Sequence, residues 1–434
     1  MHLDYDTLII GAGPAGCAAA YDLAQAGRRV LLVDRRTFPR PKACACGLTR
    51  KTLDALRYSV EPVSERICYE IVLQQASDDT SKREVKVRAK NPICAMAVRE
   101  RFDAFCLAQT LAAGRNGGSA TLRKIEHITS IDEHPTHIVL TVATATGPET
   151  FTAPVLIGAD GSNGQTRRIE ASLRNSGEAQ SPSAPHWYEK GFALEACVPY
   201  SALPSSLPAG DAPTDLVFDF APLPGGYGWL FPKGDHINIG VGAFAPTADD
   251  ASTQLKSVTR DLLDQYTQHK LGVSLAALGA AITGQYLGMG GHAYIPHGRV
   301  LLTGDAAGLV DPLTGEGIHS ALVSGQAAAA AILESIEKVE ETERAELGAP
   351  SSPTASSSTK VGSEASKIAT AYARHLQPLQ QTLAFSARAA RAFYRNPERG
   401  FRAMRNPLLR PLILKTYADG LPHTKLITAL AKFV

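Results

Sequence analysis

The stretch from Asp6 to Asp34, reading D-T-L-I-I-G-A-G-P-A-G-C-A-A-A-Y-D-L-A-Q-A-G-R-R-V-L-L-V-D, constrains this chain more than any other. The apolar run Thr7 to Ile10 predicts a buried strand. It leads into Gly11-Ala12-Gly13-Pro14-Ala15-Gly16, then an alanine-rich helix, then a second strand over Arg29 to Val33 that ends in an acid. Each part has a physical job. Gly11 allows a tight turn, Gly13 lets backbone approach a pyrophosphate, and Gly16 lets the helix pack closely on the strand. The helix N-terminus then offers free N–H groups and the positive end of its dipole to phosphate. Asp34, eighteen residues beyond Gly16, falls where an acceptor for ribose hydroxyls belongs. The glycine pattern predicts dinucleotide binding without choosing between FAD and NAD.

With 434 residues, the chain is expected to form two domains plus an appendage, and its 44% hydrophobic content supports a large core. A net charge of +2, from 44 Lys and Arg against 42 Asp and Glu, argues against a general nucleic-acid binder. The start, Met-His-Leu-Asp-Tyr-Asp, has no cationic and apolar leader, and no uncharged apolar run reaches the ~18 residues that a spanning helix needs. The expectation is a soluble, cytoplasmic chain. Its seven cysteines (17, 44, 46, 68, 94, 106 and 197) are odd in number and confined to the first half, which suits reduced thiols. Cys44-Ala-Cys46 is spaced too tightly for a C-x-x-C redox or zinc motif, and no metal site is expected.

Past Asp34 runs a basic, proline-broken loop, Arg35-Arg-Thr-Phe-Pro-Arg-Pro-Lys42-Ala-Cys44-Ala-Cys46-Gly47-Leu-Thr49, leaving the strand ends where open α/β sheets bind ligands. Pro-Arg-x-Lys-x-Cys followed by small residues resembles a loop of the geranylgeranyl reductase family of flavoproteins, members of the p-hydroxybenzoate hydroxylase-like class. Lys42, Cys44 and Gly47 match, while Ala45 replaces a glycine. The family places this loop beside the flavin, so the resemblance makes Cys44 the candidate catalytic thiol. Lys42 and Arg40 are the neighbours expected to lower its pKa and make it a better proton donor. The alternative is that both cysteines are small loop fillers.

Four further segments carry the likeness. In Ala97 to Leu107 the R-x-x-F-D pattern (Arg99 to Asp103) implies an arginine at the cofactor phosphates. Ala159-Asp160-Gly161-Ser-Asn-Gly164 resembles the A-D-G-x-x-S element of FAD-dependent hydroxylase-type enzymes, with Gly164 standing in the place of serine. Gly226-Tyr227-Gly-Trp229-Leu-Phe231-Pro-Lys233 matches Y-x-W-x-F-P-K, the family's most specific mark; Tyr227, Trp229 and Phe231 alternate onto one strand face and would wall a pocket for a long hydrocarbon. Gly304-Asp305-Ala-Ala…Pro312…Gly315-Glu-Gly317-Ile318 resembles the element in which the Asp meets the ribityl hydroxyls and a helix start, expected near Gly315 and running to about Ser335, faces flavin N1. The cofactor-binding positions so implied are Gly11, Gly13, Ala15, Gly16, Asp34, Arg35, Lys42, Arg99, Asp160, Gly161, Gly304, Asp305, Gly315, Gly317 and Ile318.

The alternating segments Ile67 to Val87, Leu216 to Phe220 and His236 to Gly242 read as strands of a second layer, and His127 to Val142 as a hairpin. Gly348 to Ser366 is almost wholly Gly, Ala, Pro, Ser and Thr and predicts disorder. Beyond Ser386, Lys and Arg far outnumber Glu398 and Asp419; with Leu408, Leu409, Leu412 and Ile413, this helical tail suits either a peripheral seat on anionic membrane or a solvated face packed on its own domain.

The fold class expected is α/β: a Rossmann-like FAD-binding domain (1–66, 92–168 and 291–336) with an inserted α+β antiparallel-sheet substrate domain (67–91 and 169–290). A disordered linker (337–366) and a basic helical C-terminal region (367–434) follow. The resemblance implies an FAD-dependent reductase acting on C=C bonds of a prenyl lipid, fed by NAD(P)H or reduced ferredoxin, with peripheral contact at the inner face of a membrane. An FAD-dependent monooxygenase of a hydrophobic substrate shares the scaffold and is the alternative. An electron carrier to quinone is a third reading, for which the lack of cysteines after Cys197 leaves no C-terminal iron–sulfur cluster.

Overall fold

Thr7–Ile10 is buried along its whole length because it runs through the middle of a five-stranded parallel sheet. The order is Val300–Leu302, Leu156–Gly158, Thr7–Ile10, Arg29–Asp34, Ser119–Lys124. These strands read as near-continuous apolar runs, as strands covered on both faces must. A computed structural model of the chain describes residues 2–75, 83–174, 186–204, 215–244, 255–347, 357–406 and 417–419. The outer strand Val300–Leu302 does not leave its edge open. The Leu302 N–H donates to the Tyr294 hydroxyl at 3.0 Å, and its carbonyl accepts from the Tyr372 hydroxyl at 2.7 Å. Both tyrosines are buried, so the edge is capped by side chains from outside the sheet.

Alanine lets the helices over this sheet approach closely. Pro14–Gln25 buries Ala15, Ala18, Ala19, Ala20 and Ala24, and packs against Ile318–Leu347, where a side chain at Gly325 would overlap the Ala15 carbonyl. His127–Glu133 and Ile138–Thr144 pair antiparallel, and Gly147–Ala153 adds a third strand.

The second layer is a seven-stranded sheet in the order Thr283–Met289, Glu189–Pro199, His236–Ala243, Gly226–Pro232, Leu216–Asp219, Glu70–Gln75, Arg83–Arg88. It is antiparallel except where Leu216–Asp219 meets Glu70–Gln75 in parallel, the seam at which the chain returns to a strand pair it laid down much earlier. A small sheet of Gly47–Thr49, Cys94–Ala97 and Ser64–Cys68 joins the two layers. The α/β architecture thus agrees with the class expected from sequence.

The stretch 337–366 departs from expectation. Residues 337–347 extend the helix Ile318–Leu347, and 357–366 open the helix Ser357–Arg395; residues 348–356 lie outside the described residues. The run Glu337-Lys-Val-Glu-Glu-Thr-Glu-Arg-Ala-Glu-Leu347 is made of good helix formers and prolongs a helix already nucleated, which costs far less than starting one. Downstream, Ile368, Tyr372, Leu376, Leu379 and Leu383 form a buried stripe at helical spacing against the parallel-sheet core, so packing rather than local propensity decides.

The tail packs on its own molecule as far as it is described. Phe393 and Phe401 meet Phe220 edge-on and Tyr394 meets it tilted, and the Tyr394 hydroxyl donates to the Leu313 carbonyl at 2.8 Å. Leu408, Leu409, Leu412 and Ile413 lie outside the described residues. Among the described residues, no helix is long and apolar enough to cross a membrane.

Candidate active site

The C-terminal ends of the parallel strands and one face of the seven-stranded sheet enclose a cavity of about 920 Å³. Every site residue singled out from sequence lines it except Gly16. Gly16 stands back because its task is internal: a side chain there would overlap the carbonyl of Gly11, so its absence lets the helix sit down on the turn. Gly11 itself has φ +104°, outside the range of ordinary residues, and its Cα faces the Ala159 carbonyl. At Gly13 a side chain would meet nothing nearer than the Arg40 guanidinium at 3.8 Å. Beside a helix start with no side-chain cap, this is open space in front of free N–H groups, the cradle a pyrophosphate needs.

Asp34 is held in place by the backbone around it. Its two oxygens accept from the Ala12 and Arg36 N–H groups, each at 2.8 Å, while Arg35 lies exposed at the rim. Arg99 opens the helix Arg99–Leu111 and grips Asp103 through two bonds of 2.8 and 2.9 Å; Arg40 reaches the same carboxylate at 3.2 Å. Arg40 therefore joins the cationic wall near Gly13, a position the sequence pattern offered only as a neighbour of Cys44. Lys42 sits between Arg99 and Asp305, and burial followed by repulsion from Arg99 lowers its pKa. Asp160 caps the helix Thr166–Arg174 by accepting from the Thr166 N–H and hydroxyl at 2.9 and 2.8 Å, which leaves its other oxygen buried with no partner. A side chain at Gly164 would overlap that carboxyl, so glycine in the place of serine goes with this Asp160 position. Gly161, Gly304 and Asp305 border the same space, and Gly315, Gly317 and Ile318 bring the start of the helix Ile318–Leu347 to it. The helix begins at Ile318, one turn later than expected, because Gly315 (N–H to the Asp311 carbonyl, 2.8 Å) still belongs to the preceding loop.

The opposite wall is aromatic. Tyr227, Trp229 and Phe231 are buried and project from one face of Gly226–Pro232 into a ring cluster with Phe218 and Phe244. The Tyr227 hydroxyl donates to the Thr314 carbonyl, tying this wall to the loop before the helix start, and Tyr417 closes the end against Phe218.

Between the walls lies the cysteine loop. The Cys46 N–H donates to the Cys44 sulfur at 3.3 Å, and Cys46 takes φ +47° to do so. Hydrogen bonding from Cys46, and after it the charge of Arg99, holds the Cys44 thiol well below its ordinary pKa against the opposing effect of burial. Cys46, buried and beside that charge, is pushed up. Arg40 pairs with Asp103, Lys42 interacts with the Cys44 charge, and the largest lowering effects on the thiol come from Cys46 and Arg99. The shift favours the charged form of Cys44.

Two residues of this seam were not singled out from sequence as site residues. Lys233, buried, donates to the Ala45, Cys46 (3.4 Å) and Ala97 (2.8 Å) carbonyls and so fastens the loop to the sheet; burial lowers its pKa. Its signal was present as the last letter of Y-x-W-x-F-P-K. Glu195 accepts the Cys44 N–H at 2.8 Å and is pushed up to about 7 by burial and then by the Cys44 charge. Its signal was weaker: Leu194, Ala196 and Val198 alternate into one core, which places Glu195 on the other face.

The residues present fit FAD, given the open cradle at Gly13, the unpartnered oxygen of Asp160, the cations beside the helix start, and a second helix start facing the aromatic wall. Comparison with known proteins agrees. The FAD binding domain family matches residues 4–184. An uncharacterized protein of Methanosarcina barkeri is 31% identical over 339 residues, covering 76% of this chain and 75% of its own. Digeranylgeranylglycerophospholipid reductase 1 of Methanopyrus kandleri is 29% identical over 347 residues (77% and 82%), and geranylgeranyl diphosphate reductase of Rhodobacter capsulatus 29% over 334 (76% and 75%). Among solved structures, a geranylgeranyl bacteriochlorophyll reductase-like protein of Thermoplasma acidophilum has the same fold, with a TM-score of 0.65, 18% identity and 99% of each chain covered. This chain belongs to the geranylgeranyl reductase family of FAD-dependent oxidoreductases.

Proposed function

We propose that the chain saturates C=C bonds of a geranylgeranyl-type prenyl chain carried on a lipid, diphosphate, quinone or chlorophyll-type headgroup, with electrons from NAD(P)H or reduced ferredoxin. The observation that carries this reading is the continuity of the nucleotide crevice with an aromatic wall in one cavity. Reduced FAD supplies the hydride. The N–H groups of Gly13 and Ala15 bind its pyrophosphate with Arg40, Lys42 and Arg99 in support, Asp34 takes the ribose, and Asp305 the ribityl hydroxyls. Tyr227, Trp229 and Phe231 hold the hydrocarbon, exclude water and fix the reacting bond. An unactivated alkene develops positive charge as it is protonated, and the Cys44 thiolate stabilises that charge. The basic tail brings the protein to the membrane that holds its substrate.

Expression in a host rich in geranylgeranyl lipids, followed by mass spectrometry, tests this. The lipids should gain two hydrogens for each bond reduced. Unchanged lipid masses with oxygen-dependent NAD(P)H consumption and an oxygenated product would show a monooxygenase instead.

A further inference from the structure

If Cys44 is a thiolate, the second hydrogen of the reduction needs another source. We propose that the carboxyl of Glu195 gives this proton to the alkene; this rests on the prenyl-reductase reading. Glu195 faces the cavity from Glu189–Pro199 and touches both of its walls. Toward the cysteine loop it accepts the Cys44 N–H. Toward the aromatic wall it pairs in register with Gly240, which in turn pairs with Trp229, and the Trp229 ring lies in the space that a Gly240 side chain would fill. Asn238 completes the link, accepting from the Trp229 indole N–H at 2.7 Å and hydrogen-bonding Glu195. The carboxyl is thus fixed between the thiol and the hydrocarbon wall.

Two acidic groups this close and this buried do not both carry charge. The groups facing Glu195 decide which one does. Cys44 has the Cys46 N–H and Arg99 to hold its charge. Glu195 has the Cys44 charge against it, the Cys197 thiol on its own strand, and chiefly the Cys44 N–H, Asn238 and Lys233 in its favour. Lys233 is already spent on three carbonyls. The negative charge is therefore favoured on Cys44 and the proton on Glu195. In the reaction a hydride from the reduced cofactor forms the C–H bond at one alkene carbon, while the Glu195 O–H bond breaks to supply H⁺ to the other. Its carboxylate is reprotonated from water.

The test uses holoenzyme reduced with dithionite and mixed with geranylgeranyl diphosphate, product being read by mass spectrometry. Glu195→Gln should bind FAD and accept electrons from dithionite as wild type does, yet form product about 10²–10⁴-fold more slowly. The wild-type rate should fall as pH rises through about 7, where Glu195 loses its proton, and this limb should vanish in Glu195→Gln, persist in Glu195→Asp, and persist at lower pH in Cys44→Ser, which lacks the neighbouring charge. Infrared difference spectra give an independent readout. A protonated-carboxyl C=O band should be present in wild type at pH 6, lost at pH 8 and missing from Glu195→Gln. A Glu195→Gln enzyme with the wild-type rate and pH limb, or loss of the limb in Cys44→Ser instead, overturns the proposal. A wild type that reduces no prenyl substrate overturns the function on which it rests.

Discussion

Replacing Gly13 with alanine separates folding from cofactor binding. Gly13 lies at φ −82° and ψ −173°, extended backbone that alanine adopts freely, and the added methyl would find only the Arg40 guanidinium, at 3.8 Å. The native state thus accepts it without strain. Because alanine restricts the unfolded chain more than glycine does, the apoprotein should gain about 0.4–1 kcal/mol. The same methyl fills the cradle in front of the helix start. Each charge-assisted hydrogen bond lost to the pyrophosphate is worth about 1.5–3 kcal/mol, so FAD affinity should fall about 10–100-fold per bond. Gly16→Ala is the control, since its methyl would overlap the Gly11 carbonyl and the apoprotein itself should be destabilised. Flavin fluorescence titration gives the affinity and thermal melting of the apoprotein gives the stability. Unchanged FAD affinity in Gly13→Ala, or an apoprotein weakened by more than about 1 kcal/mol, would refute this picture of the turn.

Three other outcomes follow from the seam and the tail. Lys233→Met strands the Ala45, Cys46 and Ala97 carbonyls and should lower stability by about 2–4 kcal/mol in denaturant titration while speeding alkylation of Cys44 by iodoacetamide. Glu195→Gln should be as stable as wild type below about pH 4.5 and more stable by up to about 3 kcal/mol at pH 8: between pH 4.5 and 7 the unfolded chain releases the Glu195 proton while the folded protein keeps it, so wild-type stability is lost as pH rises through that window. A chain ending at Asn406 should keep FAD, since the stripe from Ile368 to Leu383 remains, and lose salt-sensitive binding to anionic liposomes; equal binding by both lengths removes the membrane role.

The nucleotide half was legible because its geometry is local. A strand, a turn needing glycine at three places and a helix lie within twenty residues of one another, and their apolar periods announce them. The aromatic wall was legible for the same reason, as alternation along one strand. Glu195 was not, because a glutamate alternating with Leu194, Ala196 and Val198 is the pattern of any strand with a solvated face. Only the packing of the cysteine loop over that face turns it inward. The helix over Ser357–Ser366 was not legible because composition reports local preference, whereas the helix Ser357–Arg395 is anchored from Ile368 onward. Tyr417 and the parallel seam between Leu216–Asp219 and Glu70–Gln75 depend on contacts across long stretches of chain, which no period reveals.

The chemistry of the seam follows from what burial costs. Cys44, Glu195 and Lys233 are withdrawn from water within one loop and one sheet face, and ionised groups so placed lose several kcal/mol of hydration each. Stability alone could be met by apolar residues of similar size, as the neighbouring Tyr227, Trp229 and Phe231 already show. The arrangement reduces the cost by sharing charge. Lys233 is compensated by three carbonyl dipoles, Cys44 by Arg99 and the Cys46 N–H, and Glu195 by keeping its proton. On the proposed reading, this sets a donor acid and an anion side by side against the aromatic wall. A reaction that must protonate an alkene and tolerate a transient cation needs both, and needs them dry.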